Sequence, residues 1–240
     1  MKKFILACSI TLITVLTIAN YKQVPQITTD NTLTDGEKNA GWFLLFTGTD
    51  LKNWRTYLNK PGSWKVDNGM LLSHRSEDKQ YADLITTYEF KNFEFQVDWK
   101  IEPNANSGIM YHVNEKHEHS YESGPEYQIL DNDGYKGQIE DWQKTGANYA
   151  MNPPKVDAAK PVGQWNHTLI LVDKGHVEHW LNGQQVVSYE LWSDEWKKEK
   201  ANGKWKDFPD YGMSKTGHIA LQDYHGNGNV WFKNIKIRPL

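Results

Sequence analysis

Apolar positions along this chain alternate with polar ones far more often than they recur every three or four residues. The cleanest case is residues 92–101, where Phe93, Phe95, Val97, Trp99 and Ile101 alternate with Glu94, Gln96, Asp98 and Lys100. That period predicts a half-buried antiparallel strand. Residues 41–46 predict a short buried strand. Trp64 and Val66, followed by Asn68-Gly69 and then Met70 and Leu72, predict a hairpin whose turn needs positive φ. Further strands are predicted over residues 106–112, 124–131, 168–172, 177–181, 185–189, 218–223 and 230–237, with Asn182-Gly183 as a second hairpin turn.

Two stretches lack this period. Residues 132–164 are rich in Gly, Asn, Lys and Pro, and a loop that long inside a compact domain is usually functional. Residues 191–216 form a Trp- and Lys-rich insertion with one helical turn expected near residues 193–195. About ten short strands with almost no helical period predict an all-β fold, a two-sheet antiparallel sandwich of jelly-roll type. No repeat and no second domain is visible.

The first residues read differently. Lys2 and Lys3 precede an uncharged, mostly apolar run over residues 4–19, short for a membrane span, with Thr17-Ile18-Ala19 before a cut at Asn20. This is the layout of a secretory signal over residues 1–19, and it implies a secreted or periplasmic protein. Ile5-Leu6-Ala7-Cys8 resembles a lipoprotein box, but too few apolar residues precede Cys8, so anchoring there is disfavoured. Residues 20–40 are polar and without period, as expected of a tether, which leaves 41–240 as the domain.

Charge and composition narrow the function. The formal charge is −3 at pH 7, and losing Lys2 and Lys3 makes the chain more acidic still. That argues against nucleic acid or an anionic surface as partner. Cys8 is the only cysteine, so disulfides cannot brace the mature chain and an apolar core must. Eleven Trp and twelve Tyr mostly serve that core, though a site stacking sugar faces would draw on the same residues.

The stretch with most chemistry is Gly124-Pro125-Glu126-Tyr127-Gln128-Ile129-Leu130-Asp131. A pleated strand projects Glu126 and Gln128 from one face, about 7 Å apart. Asp131 is out of phase and reaches that face only through a bulge or at the strand end. Three polar groups converging on one patch of sheet make a candidate active site.

Several blocks in order, among them Trp42-Phe43-Leu44-Leu45-Phe46-Thr47-Gly48, Asn106-Ser107-Gly108-Ile109, the Glu126 stretch, Val177-Glu178-His179-Trp180-Leu181-Asn182-Gly183 and Gly217-His218-Ile219-Ala220-Leu221-Gln222-Asp223, resemble the 3-keto-disaccharide hydrolase family. The resemblance covers residues 41–240 and implies a concanavalin A-like jelly roll acting on a small carbohydrate. The family pattern Gln-Asp-His-Gly stands here as Gln222-Asp223-Tyr224-His225-Gly226, with one residue inserted before His225. A ketone at C3 of the sugar acidifies the C2 proton, so a base can start an elimination at C1, followed by hydration.

Such chemistry needs a base, donors to the enolate and an acid for the leaving oxygen. Glu126 is the expected base. Gln128, Asn106 and Gln222 are candidate donors, and His112 or Asp131 would serve the leaving group. Lys144, Tyr149, Asp223 and His225 are expected to bind substrate.

Two alternatives stay open. Glu126-x-Gln128-x-x-Asp131 has the spacing of the two-carboxylate strand in jelly-roll retaining glycosidases, although Gln replaces the middle acid. A non-catalytic carbohydrate-binding module is the other. Residue by residue, Glu126 could instead hold a salt bridge, Gln128 and Gln222 could be plain strand amides, and Asp223 could cap a turn. His112 could be structural. His112, His117 and His119 suggest a metal but lack a fourth ligand and have Lys116 alongside, so none is assigned and a divalent ion stays an alternative. No Gly-rich phosphate loop follows a strand, so no organic cofactor is implied.

Overall fold

A computed structural model describes residues 29–74, 81–135, 137–223 and 228–240. The predicted signal segment, Cys8 and His225 lie outside the described residues. Among those described, the strands in chain order are β1 (Phe43–Leu44), β2 (Trp54–Thr56), β3 (Trp64–Asp67), β4 (Met70–Ser73), β5 (Leu84–Thr86), β6 (Phe93–Ile101) and β7 (Asn106–Val113). They continue with β8 (Glu126–Leu130), β9 (Asn166–Asp173), β10 (His176–Leu181), β11 (Gln184–Glu190), β12 (His218–Leu221) and β13 (Val230–Pro239). One sheet runs β11-β10-β9-β6-β13-β4-β3, with β1 also paired to β13, and the second runs β2-β5-β12-β7-β8. The chain is a two-sheet antiparallel jelly-roll sandwich.

The alternation in the sequence is what builds the core. On β6 the five apolar residues are buried and the four between them are half-buried. They meet Ile109, Tyr111, Tyr127, Ile129 and Leu221 from the facing sheet. Both predicted hairpin turns have the left-handed pair they require: Asn68 and Gly69 at φ 49° and 77°, Asn182 and Gly183 at 51° and 82°.

β2 and β5 were not legible, because three residues each are too few to show a period. In the 191–216 insertion the helix is longer than one turn: α2 spans Asp194–Asn202, and Ser193 caps it by accepting from the Trp196 amide. The polar stretch before the domain also differs from a free tether over its described part. Residues 29–40 contain α1 (Asp35–Asn39), closed by a Thr34/Glu37 capping box. Asn31 exchanges hydrogen bonds with Asn234 of β13 and donates to the Gly69 carbonyl, and Lys236 pairs with Glu37.

β8 is the strand that matters for function, and it is buried along its whole length. Tyr127 and Ile129 enter the sandwich core, whereas Glu126 and Gln128 point to the other face, which the two insertions cover. The outer edge of β8 is covered as well, because residues 146–149 lie along it: Gly146 N–H donates to the Gln128 carbonyl and Tyr149 N–H to that of Glu126. The edge is thereby closed to other chains.

Candidate active site

Register places the site. Met110 of β7 pairs with Glu126, Gly108 with Gln128 and Asn106 with Leu130. Beyond β7, the Gln222 amide donates to the Gly108 carbonyl at 2.8 Å, so Gln222 stands beside the same row. Glu126, Gln128, Asn106 and Gln222 therefore share a neighbourhood, as alternation predicts. Gly108 supplies the room for it: a methyl group there would lie 2.2 Å from Glu126 Oε1. Gln128, with its amide nitrogen turned to the acceptors, donates to Glu126 Oε1 and the Ser107 carbonyl, each at 3.1 Å.

Glu126 is 4% exposed and has no cation within ion-pair distance among the described residues. Burial pushes its pKa up to about 8; Lys204 pulls it down and the carboxylate of Asp83 pushes it further up. Asp83, whose charge acts on Glu126, lies on the wall of a cleft of ≈ 510 Å³ that Tyr57, Lys60, Tyr81, Ser120 and Tyr121 also line. Ser120 Oγ donates to Asp83, as does the Asp223 amide at 2.9 Å. On the cleft rim, the rings of His119 and Tyr121 stack 5.0 Å apart. On another side of Glu126 the insertions contribute Tyr149, whose ring meets Trp142 and Trp205 edge-on.

Several predicted site residues are elsewhere. Asp131 does not come round to the Glu126 face. Its carboxylate accepts from the Asn104 and Gly134 amides at 2.8 and 2.9 Å and so closes the turn after β8. The two-carboxylate glycosidase spacing therefore fails, because its second acid is consumed by backbone. His112 is also misplaced by simple alternation. A bulge in β7, with His112 at φ 55°, turns its ring against Phe93 of the core, and Nε2 lies 2.8 Å from the Lys91 carbonyl. Burial lowers its pKa, which favours the neutral form.

Lys144 pairs with Asp141 at 2.6 Å on the loop surface. Asp223 is 1% exposed and belongs to the lining of the cleft, where its amide donates to Asp83, while its carboxylate accepts from Ser63 Oγ, Ser73 Oγ and the Ala82 amide. His117 pairs with Asp210, and among the described residues no group of three or more His, Cys, Asp or Glu could hold a metal ion. Nor is any helix among them long and apolar enough to cross a membrane.

Sequence reasoning missed Asp83 and Lys204. Asp83 precedes a strand too short to show a phase. Lys204 is one of several lysines in a stretch that reads as solvated surface, with Lys197, Lys198, Lys200 and Lys206 around it.

A concanavalin A-like sandwich with a buried acid and an aromatic-lined cleft defines a class, that of carbohydrate-active jelly rolls. Residues 41–238 match the 3-keto-α-glucoside-1,2-lyase-like domain, and the chain belongs to that family. A 3-keto-disaccharide hydrolase of Bacteroides thetaiotaomicron is 33% identical over 230 residues, covering 83% of this chain and 79% of the relative. A Parabacteroides distasonis structure, provisionally assigned as a glycosyl hydrolase, aligns with TM-score 0.83 and 41% identity over 88% of this chain and 100% of its own. A second from that organism, with the same assignment, aligns with TM-score 0.66 and 28% identity, covering 83% and 99%.

Proposed function

We propose that the chain is a glycoside-cleaving enzyme whose substrates carry a ketone at C3 of the sugar, and that Glu126 opens the reaction as a base. The observation that carries this is Glu126 itself: a carboxyl buried over Gly108, with a pKa raised to about 8 by burial. A base poised that high is matched to a weakly acidic carbon far better than an ordinary carboxylate. The C2 proton of a 3-keto sugar is such an acid; the C2 proton of an unoxidised sugar is not.

The steps balance as follows. Glu126 takes the C2 proton, and the C–H electrons form an enolate across C2 and C3. The enolate collapses to restore the ketone, a C1–C2 double bond forms, and the C1–O bond breaks. Because His112 and Asp131 are directed elsewhere, the proton for the departing oxygen comes from Glu126, which has just received one. Water then adds across the double bond, hydroxyl to C1 and proton to C2, giving the free 3-keto sugar. The tyrosine-lined cleft supports a flat-faced ligand. The 3-keto-disaccharide hydrolase relative supports the same substrate class.

The test is a pair of glycosides alike except for the C3 ketone. Cleavage should require the ketone, and in heavy water the released sugar should carry deuterium at C2. Equal rates on the unoxidised partner would overturn the proposal.

A further inference from the structure

If Glu126 makes an enolate, something must hold the charge that appears on the ketone oxygen. Among the described residues, Lys204 is the cation whose charge acts on Glu126, whereas Lys60 on the cleft wall donates to the Glu118 carbonyl. Lys204 opens the 3₁₀ turn Lys204–Asp207, directly after α2. Its ammonium lies 4.3 Å from the centroid of Tyr149 and 4.8 Å from that of Trp205. Those rings are fixed: Trp205 Nε1–H donates to the Tyr149 carbonyl at 3.1 Å, and its ring stacks on Tyr211 at 4.0 Å. Tyr149 in turn donates its amide to the Glu126 carbonyl at 2.9 Å. A short run of contacts thus ties the lysine to the strand that bears the base.

Lys100 and Lys215 also lie over ring faces, but Lys204 lies over Tyr149, whose amide is bonded to the Glu126 carbonyl. Lys144, Lys197, Lys233 and Lys236 each pair with a carboxylate, and Lys200 donates to the Pro209 and Tyr211 carbonyls. Lys204 is held by ring faces, with no carboxylate within ion-pair distance among the described residues. Aromatic faces steady a cation without neutralising it, so its donors stay available to a transient anion.

We infer that Lys204 is the electrophile of this site, its ammonium receiving the negative charge that C2 deprotonation places on the C3 oxygen. This rests on the proposed reaction. No covalent bond to Lys204 forms: the ammonium donates to the enolate oxygen, and as C1–O breaks the charge passes to the departing oxygen, which takes the proton from Glu126. The same charge acts on Glu126, whose ionised form it favours.

The test uses the full-length protein and its Lys204→Gln and Lys204→Arg variants. Two readouts are needed, turnover of a 3-keto glycoside and titration of Glu126 by carboxyl-carbon NMR without substrate. Lys204→Gln is expected to lower kcat by about 10²–10³-fold with a smaller change in KM and an unchanged thermal midpoint. Lys204→Arg should recover part of the rate, and the Glu126 midpoint should rise in the Gln variant. A Gln variant within threefold of wild-type kcat would overturn the inference, as would a rate loss that merely tracks a fallen thermal midpoint. Should wild type fail to cleave any 3-keto glycoside, the proposed reaction fails by itself. The NMR titration then decides the rest: an unmoved Glu126 midpoint removes Lys204 from the site.

Discussion

Glu126 is in an environment that costs the fold something, and the cost has a sign that can be measured. Its ordinary pKa is 4.5 and its folded value is about 8, so between these limits the folded chain binds a proton that the unfolded chain has released. Stability therefore falls as pH rises from about 4.5 toward 8. Glu126→Gln keeps the shape and removes the titration. Its thermal midpoint should match wild type at pH 4.5 and exceed it by several degrees at pH 8, while activity falls about 10²–10⁴-fold. Denaturation scans at the two pH values check this; a destabilised variant at pH 8 would mean that the carboxylate is structural. At this scale the sequence shows only what period two can show. Glu126 and Gln128 were legible because a regular strand fixes their face. Asp131 and His112 were not, since a backbone-closing turn and a bulge override alternation, and Lys204 was hidden because a functional lysine and a solvated one look alike.

At the scale of elements, β8 is useful because both its faces and its free edge are covered. The sandwich core takes one face, the insertions take the other, and residues 146–149 take the edge. Strands with four or more alternating positions could be drawn from the sequence. The covering of β8 could not, because it depends on pairing between segments that have no period. The joint between the sheets is similar. Asp223 accepts from Ser63, just ahead of β3, from Ser73 at the end of β4 and from the Ala82 amide ahead of β5, so one carboxylate ties hairpin β3–β4 to the five-stranded sheet. Asp223→Ala strands these buried donors. A loss of about 2–4 kcal/mol is expected in chemical denaturation, from the cost of buried groups left unpaired. If stability instead held while KM rose, Asp223 would belong to substrate binding after all.

For the whole molecule, the question is where the folded unit begins. The family match and the alternation both start near residue 41, yet the structure fastens residues 29–40 across β13. Asn31 makes its bonds to a bulge in β13, where Asn234 sits at φ 54°, and Lys233 and Lys236 hold Asp30 and Glu37. Polar residues docking through hydrogen bonds leave no hydrophobic period, which is why this segment reads as a tether. Three hydrogen bonds at about 1 kcal/mol each, in a chain of this size, correspond to roughly 6–12 °C in thermal midpoint. A chain starting at residue 41 should therefore melt lower than one starting at residue 29 by several degrees. Its kcat should not change, because the segment packs on the eight-stranded sheet while Glu126 belongs to the five-stranded one. Equal midpoints would restore the tether. A fall in kcat at temperatures well below either midpoint would mean that the two sheets do not transmit strain independently, and that the site is set by the sandwich as a whole.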